Sequence, residues 1–495
     1  MAEDSYEDAI ARLKRTKKVL TTPNRTGSGL EFQTGKPEPV KRFLLEPVNT
    51  FTPTGQDRIS NLPVEIIRQI QSQLPSKDAA RTSVLSHLWL NIWVSRPVIY
   101  LHDWHFGAPK KEKRHVFLTY LEKFLDNRHK SEYYGSAVDK LFLRMTVWNS
   151  SAESLVEKWI RFALKNKVKT LCLYLTYLEQ FNLPSIVSIA ATLVELTIYG
   201  CDISNCSFKL PNLRSLNLSC GCVEDDDFKN LLAGCPRIQE LRISGSKKLH
   251  NIVVSNPTLK IFGAYPCGGK ILIESTNLES LLFGFFGKVM PEVEITSTAT
   301  VRNLTLQWVN DKERALMHFI NTFPQLEKLA IQRGCSNLQV SHQHLTSFVL
   351  EFCHYQVEEV IMDAPKLKYL EVCSGALTLF PGIEASRELE FVKFILKPKR
   401  LDDHWYIWLR SILESFAHTK RLSLICRSEQ DIIFPDKLTE RLLPTINDLK
   451  NLELQIDSST ATSQQILDGF VWMLPGLKRL SLTLGSISKL IEFPQ

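Results

Sequence analysis

A short pattern of hydrophobic and polar positions, apolar-x-x-apolar-x-apolar, recurs along the chain from residue 138 to the C-terminal region. Successive copies start about 24 residues apart, a spacing typical of solenoid repeats. The last two apolar positions of a copy alternate along a short strand, so both point inward while the residues between them point outward. The copies are VDKLFL at 138, VKTLCL at 168, LVELTI at 193, LRSLNL at 213, IQELRI at 238, LKIFGA at 259, LESLLF at 278, VRNLTL at 301, LEKLAI at 326, LTSFVL at 345, LKYLEV at 367, LEFVKF at 389, TKRLSL at 419, LKNLEL at 449 and LKRLSL at 477.

Strands of this kind are expected to pair in parallel and to bury an apolar ladder that no single repeat could bury alone. The chain must cross over outside the sheet to reach each next strand. Helical crossovers are predicted for the eight residues that begin at Glu153, for residues 227–232 and for residues 403–416. Shorter spacings allow little more than a turn. The pattern thus predicts an α/β solenoid over residues 136–495, with a curved parallel sheet and outer helices or turns.

Residues 57–93 have a helical period instead. Five apolar residues fall on one arc of roughly 140°, which predicts an amphipathic helix that begins near Pro63 and is stopped by Pro75. Ser76 is a candidate cap for a second helix. A third helix is predicted to carry Leu88, Trp89, Ile92 and Trp93. The segment is therefore expected to be a small three-helix unit.

A unit of this size cannot enclose all of its large apolar side chains, so some of them must face a partner. The stretches DRISNLP, LPSKDAARTSVLS and W-x-x-x-W resemble the F-box, by which substrate receptors dock on the Skp-type adaptor of cullin ubiquitin ligases. RTSVLS is close to the plant branch. The chain departs from that family at Gln73, where phenylalanine is common. It departs again at His87 to Leu90, where Lys-Arg usually precedes the first tryptophan and arginine follows it.

The resemblance implies that residues 57–103 form an F-box that binds the adaptor through its apolar side chains. An ordinary N-terminal helical bundle is the alternative interpretation of the same pattern. The implied adaptor-binding residues are Leu62, Pro63, Ile66, Ile67, Ile70, Leu74, Pro75, Val84, Leu85, Trp89 and Trp93.

The repeats add to this resemblance. CPRIQEL from Cys235 resembles F-box proteins whose receptor domain is a leucine-rich-repeat solenoid, and residues 159–173 resemble the opening repeat of the plant members. The resemblance implies that the concave face of the sheet binds a target protein. The outward positions are mixed in charge and shape, so they indicate no ligand class. The candidates for target binding are Arg144, Tyr199, Asn217, Arg242, Gln307 and Arg479.

Two segments flank the predicted F-box. Residues 1–56 are rich in Thr, Pro, Gly and Lys and are expected to form a disordered tail. Five cations in residues 12–18 are either a nuclear-import signal or a solvated turn of a fraying helix. Residues 104–135 are predicted to be a helical linker, with a stripe formed by Val116, Tyr120, Leu121, Phe124 and Leu125.

Composition narrows the function classes. The 495 residues are 44% apolar and 23% charged, as in an ordinary globular protein. No run of 18 apolar residues predicts a membrane span, and the acidic start MAEDSYEDAI is unlike a signal peptide. We therefore expect the protein to be located in the nucleus or the cytoplasm. A net charge of +7 over this length does not indicate nucleic-acid binding.

No catalytic, metal or cofactor site is predicted. The eleven cysteines are expected to be reduced thiols. Cys201, Cys206, Cys220 and Cys222 allow a zinc interpretation, but a repeat turn explains Cys201 more simply. The glycines at 263–269 precede Lys270, yet Ile271 stands where a phosphate loop needs Ser or Thr. The histidine pairs at 102/105 and 342/344 lack a carboxylate or cysteine at a spacing that favours a site.

The resemblance implies a non-catalytic substrate receptor of an SCF-type (Skp-cullin-F-box) ubiquitin ligase. Its F-box would hold the Skp-type adaptor and, through it, the cullin, while its repeats would hold the protein to be ubiquitinated. A binding scaffold without ligase activity is the alternative. A repeat receptor for a small molecule is a third interpretation, which has no support beyond the fold.

Overall fold

The computed structural model describes residues 59, 62–74, 76–106, 114–130, 138–177, 181–204, 206–219, 221, 223–245, 248–265, 269–284, 292–307, 313–332, 337–351, 359–374, 380, 381, 383, 386, 388–439, 446–459 and 461–493. The predicted tail at 1–56 lies outside the described residues. The helices are α1 (Val64–Gln73), α2 (Ser76–Arg81), α3 (His87–Val94), α4 (Arg114–Lys130), α5 (Ser150–Lys165), α6 (Ser185–Ser188), α7 (Asp225–Ala233), α8 (Glu313–Asn321), α9 (Asp403–Ser415), α10 (Asp436–Thr439) and α11 (Ser463–Phe470).

The described residues also form twenty-four strands. They are β1 (Val98–His102), β2 (Lys140–Val147), β3 (Thr170–Tyr177), β4 (Phe181–Asn182), β5 (Glu195–Tyr199), β6 (Cys201–Asp202), β7 (Ser215–Ser219), β8 (Glu240–Ser244), β9 (Asn251–Val254), β10 (Ile261–Tyr265), β11 (Lys270–Ile273), β12 (Ser280–Gly284), β13 (Glu292–Ile295), β14 (Asn303–Gln307), β15 (Lys328–Gln332), β16 (Asn337–Ser341), β17 (Ser347–Glu351), β18 (Glu359–Asp363), β19 (Tyr369–Ser374), β20 (Phe391–Leu396), β21 (Arg421–Cys426), β22 (Asn451–Ile456), β23 (Arg479–Leu484) and β24 (Ile487–Glu492).

One main sheet of 17 strands dominates the described residues. Its strands pair side by side in chain order, in parallel from β1 to β23, and β24 adds in antiparallel orientation. Each of the fifteen copies of the sequence pattern coincides with one strand of this sheet, so the predicted α/β solenoid of parallel strands is confirmed. The members of the main sheet are β1, β2, β3, β5, β7, β8, β10, β12, β14, β15, β17, β19, β20, β21, β22, β23 and β24.

The inward positions of the main sheet form one continuous core. In β8, Leu241 and Ile243 are buried while the residues between and beside them are half-exposed. Leu241 pairs with Leu216 of β7 on one side and with Phe262 of β10 on the other. Each inward side chain therefore contacts the same position of both neighbouring repeats, and the predicted strand register is correct.

A backbone ladder at the start of each strand keeps the repeats in register. The second residue of a copy donates its N–H to the carbonyl of the same position in the preceding copy, as Arg214 does to Val194 and Gln239 does to Arg214, both at 2.8 Å. Side chains at this second position also form ion pairs between neighbouring copies, as Lys169 and Asp139 do at 3.0 Å. Each exposed ion pair contributes little to stability, but the opposite charges lie beside each other only when the strands are in this register.

The crossovers follow the prediction where they are long and depart from it where they are short. α5, α7 and α9 coincide with the three predicted helical crossovers. The shorter crossovers were expected to be turns, yet several contain strands that pair with each other, as β9, β11 and β13 do. Ile252 and Ile273 of these strands are buried in the core. Because buried backbone groups need hydrogen-bond partners, stacking the short crossovers as strands satisfies groups that isolated turns would leave unpaired.

Both ends of the main sheet differ from the sequence prediction. The segment Val98–His102 was included in the all-helical unit, but it forms β1, the first strand of the sheet, with Ile99 and Leu101 buried. At the other end, the residues after the last copy of the pattern form β24, which pairs with β23 in antiparallel rather than parallel orientation through a turn at Gly485 with φ of +57°. A positive φ is easily adopted only by glycine, which favours this reversal.

Helix α4 joins the N-terminal helices to the repeats. Phe124 of α4 lies between Trp93 of α3 and Trp159 of α5, at ring-centroid distances of 6.3 Å and 5.8 Å. The linker stripe is thereby confirmed except at Val116, which is exposed. Phe117 is buried in its place because it shares a helix face with Leu121 and Phe124, at spacings of four and seven residues.

Arg128 of α4 fixes the end of α3. Its side chain is 3% exposed, and its guanidinium donates to the carbonyls of Val94 and of Arg96, the latter at 2.9 Å. Burial lowers the pKa of Arg128 to about 10, so the group stays cationic at neutral pH. A cation at the C-terminal end of a helix also interacts favourably with the helix dipole. The three-helix unit is therefore held to the first repeat by a buried charge as well as by packed aromatic rings.

The register of β8 can be tested at two adjacent residues. Leu241→Ala should lower the free energy of unfolding by about 2–5 kcal/mol, because it opens a cavity between two repeats. Arg242→Ala should cost less than about 1 kcal/mol, because only a half-exposed ion pair with Glu240 is lost. Urea unfolding of the two variants measures both values. The register would be contradicted if Arg242→Ala unfolded at lower urea concentration than the wild type while Leu241→Ala unfolded at the same concentration as the wild type.

The clamp at Arg128 can be tested in the same way. Arg128→Met keeps the aliphatic stem but leaves the buried carbonyl of Val94 and the half-buried carbonyl of Arg96 without this donor, so we expect the free energy of unfolding to fall by about 1–3 kcal/mol. Lys123→Met, at an exposed position of the same helix, is the matched control and should leave stability unchanged. Urea unfolding together with limited proteolysis near residues 94–96 measures the effect. Equal stability of the two variants would rule out the clamp.

Candidate protein-interaction surfaces

The three-helix unit, residues 62–94, has a small core of its own. Ile67 of α1 packs with Trp89 and Ile92 of α3. The buried side chain of Gln71 donates to the hydroxyl of Thr82 at 2.9 Å and to the carbonyl of Trp89 at 3.2 Å. These contacts hold α1 against the segment that connects α2 to α3.

Large apolar side chains remain exposed around this core. Val84 and Leu85, in the connection between α2 and α3, are 67% and 46% exposed, and Ile66 of α1 is also exposed. Ile59 is exposed as well, and the sequence prediction missed it because the helical arc was counted from Leu62. Its carbonyl accepts a hydrogen bond from the indole of Trp89 at 3.2 Å. A unit this small thus presents an apolar surface that its own core does not use.

The predicted adaptor-binding residues divide into groups by burial. Ile67 and Trp89 are buried in the core of the unit, so these two predicted adaptor-binding residues hold α1 on α3 and do not lie on the exposed surface. The helical period located the apolar face, but only the packing of α1 on α3 decides which part of it is internal. Pro75 lies outside the described residues. The exposed ones are Pro63, Ile66, Val84 and Leu85, and the half-buried ones are Leu62, Ile70, Leu74 and Trp93.

The departures from the F-box pattern lie on or near this surface. His87 and Gln73 are exposed, and Leu90 packs against the main core. Helix α3, with the sequence HLWLNIWV, carries no lysine or arginine. Contacts made by this helix would therefore be apolar rather than ionic.

The second surface is the open face of the main sheet, formed by the outward side chains that alternate with the buried ones. All six residues predicted for target binding lie at outward positions of their strands. Arg242 pairs with Glu240 at 2.7 Å, the amide of Gln307 bonds to that of Gln332, and Arg479 approaches Glu492 of β24 at 3.3 Å. Three of the predicted residues are thus already engaged within the chain.

Aromatic rings cluster at the β1 end of the open face. Tyr100 stacks on Phe142 with centroids 4.3 Å apart, Phe142 lies 5.2 Å from Tyr174, and Tyr174 lies 6.2 Å from Tyr199. Sequence reasoning selected Tyr199 but missed Tyr100 and Tyr174. Tyr100 belongs to the unrecognised strand β1, and Tyr174 stands just beyond its copy of the pattern. Extending the strand alternation by two residues would have found Tyr174.

The residues considered for metal or catalytic chemistry have structural roles. Within the described ranges, no group of three or more His, Cys, Asp or Glu side chains is placed to hold a metal ion. His342 is buried, and its ring bonds to the carbonyl of Phe323 at 2.9 Å and accepts the N–H of His344. Burial raises the pKa of the Cys235 thiol to about 12, so it stays protonated at neutral pH. Cys220 and Cys222 lie outside the described residues.

The helices of the described chain include none that is long and apolar enough to cross a lipid bilayer.

Comparison with protein families assigns both parts of the chain. The F-box domain model matches residues 59–100. The leucine-rich-repeat model of the FBD-associated F-box protein At5g56370 matches residues 156–300 and 270–399. The first match covers the three-helix unit and most of β1, and the second covers the region of the main sheet from α5 to β20.

Individual relatives agree with these matches. The F-box/LRR-repeat protein At3g58900 of Arabidopsis thaliana is 30% identical over 51% of this chain and 79% of its own length. At3g03360, an F-box/LRR-repeat protein of the same plant, is 27% identical over 88% of this chain and 92% of its own. The putative F-box protein At3g58860 is 32% identical over 45% of this chain, and this match spans half of that relative's length. With its F-box at the N-terminal side and its parallel sheet of repeats, the chain belongs to the plant-type F-box/leucine-rich-repeat proteins.

Proposed function

We propose that this protein is the substrate-recognition subunit of an SCF-type ubiquitin ligase. The F-box docks on a Skp-type adaptor, and the open face of the repeats holds the target protein. The single observation that carries the proposal is the match of residues 59–100 to the F-box family, on a unit whose apolar side chains exceed its own core.

The adaptor side of the proposal follows from apolar burial. Val84 and Leu85 are neighbours in the chain, and the bonds from Gln71 tie α1 to the segment that carries them. Covering such side chains with a partner removes apolar surface from water, at about 25 cal/mol per Å² buried. Because α3 offers no cation, the centre of the contact is apolar, as is usual for the centre of a protein interface.

The mechanism is proximity rather than covalent chemistry by this chain. A target held on the repeats keeps its lysines at a high effective concentration near the ubiquitin-conjugating enzyme that the cullin carries. The packed rings of Trp93, Phe124 and Trp159 and the clamp at Arg128 support this role. They limit movement of the F-box relative to the first repeats, so the position of the target is transmitted to the adaptor.

A binding scaffold without ligase activity is the second candidate. The observation that favours it is the absence of lysine and arginine from α3, where F-box proteins of this type usually have Lys-Arg beside the first tryptophan. The two candidates differ in one property, the binding of the adaptor. The nucleus or the cytoplasm, where such ligases act, is the proposed location.

Adaptor binding can be tested by changing exposed residues that do not hold the F-box together. Replacing Val84 and Leu85 together by Ala should weaken binding to a plant Skp-type adaptor by about tenfold or more, since central interface residues dominate binding energy. Co-purification of the full chain with the adaptor, followed by titration, measures the change. Melting temperature should stay the same, because both side chains face solvent.

The matched control replaces two exposed apolar residues of the repeat crossovers, Val253 of β9 and Ile361 of β18, by Ala. This variant should bind the adaptor like the wild type. If the wild-type chain fails to bind any adaptor, the scaffold is the correct function. If the F-box variant and the control bind equally well, the proposed docking surface is wrong.

A further inference from the structure

The aromatic rings at the β1 end of the open face form a continuous platform, the aromatic platform, composed of Tyr100, Phe142, Tyr174 and Tyr199. Its members come from four adjacent strands, β1, β2, β3 and β5. Adjacent strands lie about 4.8 Å apart, so the platform extends for about 14 Å, which is the length of about four residues of an extended peptide. Tyr100 is 42% exposed at its outer edge.

Two cations flank the platform. Lys140 and Arg144 stand two positions before and after Phe142 on β2, so all three side chains point to the open face. The ion pairs found among the described residues include neither of these cations, although they include Lys169 of the neighbouring repeat. The nearest outward acid along the Lys140 row, Glu195, accepts a hydrogen bond from Thr170 at 3.2 Å.

A second aromatic cluster on the same face provides a contrast. Tyr369 and Phe391 lie 5.5 Å apart, and Arg421 stacks over Phe391 at 4.2 Å. There the cations are neutralised, since Lys393 pairs with Glu371 at 2.8 Å and Arg421 approaches Glu453 at 3.6 Å. The aromatic platform therefore differs from this second cluster, because the cations beside its rings have no ion-pair partner among the described residues.

These charges favour a peptide over a nucleic acid. Single-stranded nucleic acids require a basic track along their backbone in addition to stacking rings. The row that contains Lys140 instead continues to Glu195 and Glu240, which would repel phosphates. Two isolated cations suit one or two acidic side chains next to a ring.

We propose that the aromatic platform, with Lys140 and Arg144, binds an extended acidic segment of the target protein that carries an aromatic side chain. The aromatic side chain stacks on Phe142 and Tyr174, and an acidic group beside it pairs with Arg144. This inference rests on the proposed function, because it specifies the target that the repeats hold. The platform begins on β1, which starts four residues after α3 ends, so the target is held at the F-box end of the sheet.

The test uses the full chain without any adaptor and a phage-displayed library of random heptapeptides as the probe. We expect the selected peptides to contain Asp or Glu within two positions of Trp, Tyr or Phe. A fluorescent copy of the most enriched peptide should bind Arg144→Glu about tenfold more weakly than the wild type, because attraction becomes repulsion. Replacing the acidic residue of the peptide by Lys should restore binding to Arg144→Glu, which damage to the fold would not do.

The controls use matched positions of the same face. Lys328→Glu, an exposed outward cation between Asn303 and Ser347, should bind the peptide within about twofold of the wild type, since surface charges act mainly over a Debye length. Tyr100→Ala should weaken binding, whereas Tyr369→Ala should not.

Several results would overturn the inference. These are a library without acidic-aromatic enrichment, equal effects of Arg144→Glu and Lys328→Glu, or competition by a deoxythymidine decamer at lower concentration than the peptide, which would indicate a nucleic acid. Adaptor binding of Arg144→Glu is measured separately and should stay normal. A loss of peptide binding at the aromatic platform can thus be distinguished from a loss of adaptor binding at the F-box.

Discussion

Parallel pairing of the repeated strands is the constraint on which the rest of the structure depends. Each strand contributes inward side chains, such as Leu216, Leu241 and Phe262, which lie beside the same positions of the neighbouring repeats in one continuous core. A repeat by itself exposes these groups, so the core exists only when successive repeats stack. The outward residues are thereby placed on one open face in fixed rows, whatever their identity. The fold and the binding surface are therefore specified by different residues of the same strands.

This constraint extends to the F-box through one short strand. β1 follows α3 after a few residues and pairs with β2, so the last helix of the F-box and the first strand of the sheet are nearly continuous. Arg128 bonds to this connection at the carbonyl of Arg96, and the packed rings of Trp93, Phe124 and Trp159 join the F-box to the first repeat. The proposed function depends on such a connection, because a target held on the repeats can be positioned relative to an adaptor only if the F-box is fixed to the repeats.

The two interaction surfaces differ in chemistry. The F-box presents aliphatic groups, such as Ile66, Val84 and Leu85, without cations on α3. The open face presents rings and charges, and several of these charges pair with each other, as Arg242 does with Glu240 and Lys393 with Glu371. The ion pairs of the described residues do not include Lys140 or Arg144 of the aromatic platform. An apolar surface can bind a partner without selecting for its charge. Rings and charges at fixed positions can discriminate between binding partners by electrostatic complementarity.

The sequence by itself determined the positions of the repeat strands and the face that each strand buries. Both follow from an alternation of period two, which is local and leaves Leu241 only one face to occupy. It also determined the long crossover helices and the linker helix, apart from the exchange of Val116 for Phe117. For the two candidate surfaces, the sequence identified the outward residues of the strands and the apolar residues of the F-box. It did not show how the residues of either surface are arranged in space.

The tertiary structure decided what depends on partners distant in sequence. Periodicity marks an apolar helix face without showing which part of it meets another helix, so only the packing of α1 on α3 places Ile67 and Trp89 inside and leaves Val84 and Leu85 outside. A short segment such as Val98–His102 becomes a strand because β2 lies beside it, and the short crossovers become strands because they stack on each other. The aromatic platform arises in the same way. Its rings are far apart in the chain and meet only because parallel pairing in register brings them to adjacent strands.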